Sequence, residues 1–185
     1  MFPAQAIRIA TLFAVLFAAR SSLAQWVPTG GPVGSNITSF ATLPGRIFAG
    51  TETGAVLQST DGGLSWRFAA MSLTSLGVRS LATLDTMLFA ATGGVGVFRT
   101  VDYGIVWSPF NGGLTDLEVN ALAANDSTLF AGTCIQGVFR WMNYGNWSLV
   151  FPAANIRALV ASGSEIVVGA YGTGIFRSPD NGTSW

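Results

Sequence analysis

The segment Ser59-Thr60-Asp61-Gly62-Gly63-Leu64-Ser65-Trp66 has the pattern Ser-x-Asp-x-Gly-x-x-Trp, and this pattern returns along the chain. Two later segments match it, Thr100-Val101-Asp102-Tyr103-Gly104-Ile105-Val106-Trp107 and Ser178-Pro179-Asp180-Asn181-Gly182-Thr183-Ser184-Trp185. A worn copy, Trp141-Met142-Asn143-Tyr144-Gly145-Asn146-Trp147, has Trp for the hydroxyl residue, Asn for Asp, and one residue fewer before its last Trp. A motif that returns at a regular interval is typical of a repeat architecture and says little about activity.

Each copy has the residues of a tight loop between two antiparallel strands. The Asp carboxylate and the Ser or Thr hydroxyl can accept hydrogen bonds from loop N–H groups, and the glycine tolerates a positive φ. Because turn chemistry explains these residues, we predict structural roles for them and not the alternative role of catalytic acids for the aspartates. The predicted structural positions are Ser59, Asp61, Gly63, Trp66, Thr100, Asp102, Gly104, Trp107, Asn143, Gly145, Trp147, Ser178, Asp180, Gly182 and Trp185.

Tryptophans mark a repeat of about forty residues. Trp26, Trp66, Trp107, Trp147 and Trp185 are separated by 40, 41, 40 and 38 residues, and three β-like runs recur within each interval. The first two runs are apolar or small on both faces, as expected for sheets covered on both sides by radially stacked neighbours. We therefore predict an all-β fold, a β-propeller of four-stranded antiparallel blades. About four blades are expected, at approximately 35–70, 77–110, 118–150 and 155–185.

Small residues occupy one position of the second run in every repeat. They are Gly50, Ala91, Gly132 and Gly169. A small residue inside a strand often marks a close approach of another part of the chain. We predict that adjacent blades approach closely there.

Composition excludes several classes of function. The 185 residues include nine arginines and nine acidic residues, but no lysine and no histidine. A basic patch for nucleic acid is therefore not expected, and the commonest general base and transition-metal ligand is missing. Cys134 is the single cysteine, so an intrachain disulfide or thiolate cluster is excluded. We expect no metal, no cofactor and no nucleic-acid partner.

Residues 1–24 have the pattern of a signal peptide. Arg8 precedes an apolar run, Ile9 to Ala19, that is too short to span a bilayer, and Ser22-Leu23-Ala24 resembles a cleavage site. The alternative, an uncleaved anchor, is disfavoured because Arg20 ends the run early. We predict a mature chain of residues 25–185 without a transmembrane segment, secreted, periplasmic or on the cell surface.

The two ends of the repeat array leave two alternatives. Trp26-Val27 resembles an outermost strand without the rest of its blade, and Trp185 stands where the last outer strand should begin. Either the first strand completes the last blade, or the chain is the first part of a longer protein. We favour the second interpretation, an incomplete propeller, because an open array exposes apolar faces and an unpaired edge.

The turn pattern resembles the Asp-box, or BNR repeat, over about Trp26 to Trp185. It is similar to blades of sialidases, sortilin-type receptor domains, the photosystem II assembly factor and xyloglucan-cleaving glycoside hydrolases. The resemblance implies a β-propeller whose Asp-boxes lie on the outer part of each blade, away from the ligand face. On that basis Asp61, Asp102 and Asp180 are structural, and Asn143 is a degenerate counterpart.

A ring of polar side chains is the candidate ligand site. Thr38, Arg79, Asn120 and Arg157 share one position at the start of the innermost strand, which predicts a polar ring at one mouth of the central channel. Arginine suits bidentate binding of a carboxylate. The alternative is that these residues only cap the channel and are solvated.

Enzymatic activity is the less favoured interpretation. The resemblance to sialidases implies an Arg-Ile-Pro motif, which Arg46-Ile47-Phe48 only approaches. A glycosidase needs two carboxylates flanking the scissile bond, and Asp116 and Glu118 are the nearest candidates, although loop acids often serve solubility. We predict a secreted, non-catalytic binding or scaffolding module whose partner is an unknown protein or glycan. The alternative is the N-terminal part of a glycan-active enzyme.

Overall fold

The structure is a computed structural model, and it describes Gly31, residues 35–70, Leu73, residues 77–142 and residues 145–185. The predicted signal peptide, Trp26, Asn143 and Tyr144 lie outside the described residues. In the described part, fifteen strands form four antiparallel sheets, so the all-β prediction of propeller blades is confirmed. No helix among these residues is long and apolar enough to cross a membrane.

Each sheet is one blade, and its strands follow one another in chain order from the innermost strand outward. Blade 1 contains β1 (Ile37–Leu43), β2 (Arg46–Thr51), β3 (Val56–Ser59) and β4 (Arg67–Ala70). Blade 2 contains β5 (Val78–Leu84), β6 (Met87–Thr92), β7 (Val97–Thr100) and β8 (Ser108–Pro109). Blade 3 contains β9 (Val119–Ala124), β10 (Thr128–Thr133), β11 (Gly137–Met142) and β12 (Ser148–Pro152). Blade 4 contains β13 (Ile156–Ser162), β14 (Glu165–Ala170) and β15 (Gly174–Ser178).

Two-residue turns join the first two strands of blades 1, 2 and 4. Leu43 pairs with Arg46, Leu84 with Met87, and Ser162 with Glu165. Such short hairpin turns need residues at positive φ, because only then does the turn match the twist of the strands. Gly45 at φ 71°, Asp85 at φ 54° and Gly163 at φ 55° supply them.

The core lies between the blades and is built three times from the same repeat positions. Phe48, Phe89 and Phe130, on the second strand of their blades, are completely buried. Each belongs to a cluster that also contains the first apolar residue of the next blade's inner strand, Val78, Val119 or Ile156. Blade-to-blade packing therefore supplies the apolar burial that a single sheet lacks.

The predicted close approach at the small residues is confirmed at Gly50 and Gly132. A Cβ at Gly50 would lie 2.6 Å from Cγ1 of Val78, and one at Gly132 would overlap Cγ2 of Ile156. The inner strand of the following blade thus rests on these glycines. At Gly169 a Cβ would meet only Ala158 of its own blade, at 3.5 Å.

The two end blades each leave one face uncovered. On blade 1, Ile37 and Phe40 are 40% and 61% exposed, and on blade 4, Val160 and Ile175 are 58% and 78% exposed. Residues at the equivalent positions of blade 2, Val78, Leu81, Ala82 and Val97, are all buried. The described part of the chain is therefore an array with two open apolar faces.

Candidate functional site at the channel mouth

A β-bulge places each residue of the predicted ring. The register of the inner strand shifts between Ile37 and Ser39 in blade 1, between Val78 and Ser80 in blade 2 and between Ile156 and Ala158 in blade 4. In blade 3, Val119 and Ala121 are paired on either side of the shift. The residue left unpaired at the shift is Thr38 in blade 1, Arg79 in blade 2, Asn120 in blade 3 and Arg157 in blade 4. Bulges of this kind redirect a side chain and often lie beside functional sites.

Two ring residues connect their blade to the next one. The Thr38 hydroxyl donates to the Val78 carbonyl at 2.5 Å, and the Asn120 amide donates to the Ile156 carbonyl at 2.9 Å. Both acceptors belong to the first residue of the following inner strand. These side chains therefore join neighbouring blades at the starts of their inner strands.

Arg79 is held by three groups around its guanidinium. It donates to Oδ1 of Asn120 and to Oε1 of Glu118, the latter at 3.1 Å. It also lies against Gly93, where a Cβ would come within 2.8 Å of Nε. The Arg79 and Glu118 side chains are 35% and 41% exposed, so the ion pair is open to solvent and contributes little to stability by itself.

Arg157 differs from the other three ring residues. It is exposed, and among the described residues it makes no hydrogen bond or ion pair. The structure thus joins Arg79, Asn120 and Glu118 in one interblade network and ties Thr38 separately to Val78. Glu118, for which the sequence left open a catalytic role or a role as a solubilising loop acid, is the ion-pair partner of Arg79. Nothing in its spacing identified that partner.

Asp116 does not form a carboxylate pair with Glu118. It is 6% exposed and accepts hydrogen bonds from the backbone N–H groups of Ile135 at 2.8 Å, Gln136 at 3.0 Å and Glu118 at 3.1 Å. Burial by itself raises the pKa of Asp116, but these hydrogen bonds, with one from the Thr133 hydroxyl, lower the pKa below its ordinary value. The carboxylate is occupied in holding two loops together.

The aspartates of the repeated turns are likewise engaged within their own loops. Asp61 accepts from the Ser59 hydroxyl at 2.7 Å, from the Ser65 N–H at 2.9 Å and from the Ser65 hydroxyl at 2.5 Å. The hydrogen bonds from the Ser65 hydroxyl and N–H, then that from Ser59, lower the pKa of Asp61 to about 2. The indole N–H of Trp66 donates to the Gly63 carbonyl at 3.1 Å and lies against the same turn.

The other two intact turns repeat this arrangement. The Ser184 hydroxyl, above all, lowers the pKa of Asp180 to about 2, and the Val106 N–H is the main cause of a lowered pKa at Asp102. The tryptophans again donate to the turn glycine, Trp107 to Gly104 and Trp185 to Gly182. These contacts give the aspartates a structural role within their turns.

The worn copy in blade 3 uses its tryptophans differently. The indole N–H of Trp141, which replaces the hydroxyl residue, donates to the Gly145 carbonyl at 2.7 Å. The indole N–H of Trp147 donates to the Phe110 carbonyl of blade 2 at 2.8 Å. Both rings pack edge-on against Phe110. An interblade aromatic cluster therefore stands where the other blades have a polar turn.

Metal-ligating side chains do not converge in the described ranges. No group of three or more Asp, Glu or Cys side chains is close enough there to hold a metal ion. Cys134 is a free, half-buried thiol. The chemistry that the mouth does offer is hydrogen bonding and charge, from amide, hydroxyl, carboxylate and guanidinium groups.

Comparisons with known proteins support the fold. No family model matches the chain, and no curated protein matches it by sequence. The computationally designed Ika4 protein is 16% identical, with a TM-score of 0.62 over 82% of this chain and 94% of that one. A GH74 enzyme of Niastella koreensis is 19% identical, with a TM-score of 0.62 over 80% of this chain and 24% of that one. YCF48 bound to D1 peptide is 17% identical, with a TM-score of 0.58 over 80% of this chain and 52% of that one.

These similarities concern architecture. The chain spans about a quarter of the GH74 enzyme and about half of YCF48. At such low identity, the match shows that the sheets are propeller blades and leaves function to be argued from the site.

Proposed function

We propose that this chain is an exported, non-catalytic β-propeller module of the Asp-box type, which binds a protein or glycan at the channel mouth. The ligand class that fits is one bearing a carboxylate. The observation that carries the proposal is Arg157, an exposed guanidinium that a bulge places at the ring position. A guanidinium binds a carboxylate through two parallel hydrogen bonds, and its neighbours in the ring add amide and hydroxyl donors.

Two further observations favour binding over chemistry. Asp116, the nearest potential partner for Glu118 in a glycosidase mechanism, already accepts three backbone hydrogen bonds. Glu118 itself is paired with Arg79. A similar propeller, YCF48, was solved bound to a peptide, which favours a peptide as the ligand.

The test is a binding screen on arrays of acidic peptides and acidic glycans, with hits measured by calorimetry. We expect Arg157→Gln to weaken binding of the best hit by about tenfold or more, because a charge-assisted bidentate contact is lost. The matched control is Arg67→Gln, which removes an exposed arginine from the outer strand β4. Equal affinity of Arg157→Gln and wild type for every hit would contradict the proposal.

The second candidate is part of a glycan-active enzyme, favoured by the likeness to GH74 enzymes and by the half-exposed Glu118 at the mouth. A hydrolysis screen on xyloglucan and sialosides separates the two candidates. Turnover that disappears in Glu118→Gln, with folding unchanged, would overturn the binding proposal.

A further inference from the structure

A groove lies at the junction between blade 1 and blade 2, at the end of the strands opposite to the channel mouth. Its volume is about 310 Å³, and its walls come from β2, β3 and β4 of blade 1 and from the repeated turn of blade 2. Leu43 pairs with Arg46 at this end of the first hairpin, whereas Ile37, next to the ring residue Thr38, pairs with Thr51 at the other end. Both walls of this interblade groove belong to described blades, and the groove is separate from the mouth.

Two guanidinium groups in the interblade groove flank Gln58. Nη1 of Arg46 donates to Oε1 of Gln58 at 2.6 Å, and Arg67 pairs with Gln58 across strands β3 and β4. One carboxylate, that of Asp102, also lines the groove and accepts hydrogen bonds from hydroxyl and N–H groups of its own turn. Two cations against one anion leave a net positive charge, which is complementary to an anionic ligand.

Arg46 is held in an orientation that suits a carboxylate. Its Cζ atom lies 4.2 Å from the centre of the Tyr103 ring, in the turn of blade 2. Such stacking occupies the flat face of the guanidinium, whereas a carboxylate binds to the N–H groups along its edge. A carboxylate can therefore bind to Arg46 without displacing Tyr103. Because Gln58 and Tyr103 already hold this side chain, it loses less conformational entropy on binding.

The equivalent junction between blades 3 and 4 is bridged by a direct hydrogen bond. There Asn181 takes the turn position of Tyr103, and Arg140 takes the strand position of Gln58. Arg140 donates to the Asn181 carbonyl at 2.7 Å, so the turn itself engages this guanidinium. Between blades 1 and 2 the cation comes from β2 instead, and it stacks on the turn while the groove beside it stays open.

Apolar side chains stand beside the charges in the same groove. Ile105, in the turn of blade 2, is 80% exposed, and Phe68, on β4, is 55% exposed. Large apolar side chains next to a few polar groups in a concave surface are typical of a binding site. They favour a ligand with an aliphatic or aromatic group beside its charge, which a peptide has and a sugar acid lacks.

We propose that the interblade groove binds a peptide segment that carries a carboxylate next to an aliphatic or aromatic side chain. The carboxylate binds to Arg46 and Arg67, and the apolar side chain packs against Ile105 and Phe68. This site is additional to the channel mouth and shares no residue with it, so each of the two proposals stands or falls alone.

The first test is a titration of the purified chain with N-acetylleucine, a small probe with a carboxylate beside an aliphatic side chain. Binding is followed by the NMR signals of the Ile105 methyl groups and the Arg46 side-chain N–H, and we expect saturable shifts of both. N-acetylleucinamide, which lacks the charge, and acetate, which lacks the side chain, should bind about tenfold more weakly or worse. Unshifted signals, or equal affinity for either control compound, would overturn the proposal.

Two substitutions test the charged and the apolar wall separately. Arg67→Gln and Ile105→Ser each change an exposed side chain, so the chain keeps its fold. We expect each of them to weaken binding of N-acetylleucine by about tenfold or more. The matched control is Arg177→Gln, which removes an exposed arginine from the third strand of blade 4. Undiminished binding in Arg67→Gln and Ile105→Ser would contradict the proposal.

Arg157→Gln separates this site from the channel mouth. It should leave the affinity for N-acetylleucine unchanged, because Arg157 lies outside the interblade groove. Binding that is lost in Arg157→Gln and kept in Arg67→Gln would assign the probe to the mouth. That result would overturn the groove as a site and would leave the proposed function standing.

Discussion

At the residue scale, the carboxylate of Asp61 fixes the turn by accepting three hydrogen bonds from Ser59 and Ser65. We predict that Asp61→Ala lowers the melting temperature, because the N–H and hydroxyl groups of the turn lose their common acceptor. Affinity of the folded protein for any ligand at the mouth should stay the same, since the turn follows the third strand and the mouth lies at the inner one. Thermal unfolding followed by circular dichroism is the measurement. The control is Asp126→Ala, an exposed acid whose side chain accepts no hydrogen bond among the described residues. An unchanged melting temperature for Asp61→Ala would contradict the structural role.

Acid sensitivity follows from the same residues. The folded state lowers the pKa of Asp61 and Asp180 from 3.8 to about 2, and it lowers the pKa of Asp102 as well. A lowered pKa means that the folded state binds protons less readily than the unfolded chain. The contribution of these groups to stability is therefore complete above about pH 4 and is lost as the pH falls toward about 2.

We predict that the melting temperature falls mainly between about pH 4 and about pH 2. The slope there should be shallower in Asp61→Asn than in the wild type, because one of the titrating groups has been removed. Melting curves of both proteins, recorded in steps from neutral pH to about pH 2, test this. Parallel curves for the two proteins would show that Asp61 is not among the groups responsible.

Much of this residue-scale chemistry could be predicted from the sequence, because the turn is local. The Asp, the hydroxyl residue and the glycine lie within a few positions of one another, and their contacts follow from turn geometry alone. The partners of Arg79, Asp116 and Trp147 could not be predicted in this way. Each contact crosses between segments that only the folded array brings together, so spacing along the chain holds no signal for it.

At the element scale, the second strand of each blade carries a residue whose size is limited by the next blade. We predict that Gly132→Ala destabilises the fold by about 1–3 kcal/mol, because the added Cβ overlaps Ile156 and the two blades must move apart. Gly169→Ala is the matched control, at the same repeat position, and its Cβ makes only an ordinary contact with Ala158. Denaturant unfolding of both variants measures the difference. Equal stabilities would contradict the close approach of blades 3 and 4.

Contacts between strands could be predicted from the sequence where the same kind of residue recurs at one repeat position. The glycine and alanine row indicated close blade contact, and the structure shows that contact at Gly50 and Gly132. The bulges at Thr38, Arg79, Asn120 and Arg157 were not predicted, because an extra residue in a strand leaves no mark on hydrophobic alternation when both faces are covered.

At the scale of the whole molecule, stability should vary from blade to blade. The strands β6 and β10 are buried almost throughout, whereas most of β13 is exposed. We predict that amide hydrogen exchange is slowest in β6 and β10 and fastest in β13 and β15, since local opening is easiest where few apolar contacts are lost. Exchange measured by mass spectrometry in dilute solution tests this order. Uniform protection across the four blades would contradict it.

The indole of Trp147, which donates to a carbonyl of the neighbouring blade, has a consequence for how such chains tolerate mutation. Because Trp147 is anchored on the neighbouring blade, blade 3 can lose the residues of its own turn motif and still keep its place. A degenerate turn motif therefore does not mean that the blade is missing. Counting only intact turn motifs would give three blades where the described part of the chain has four.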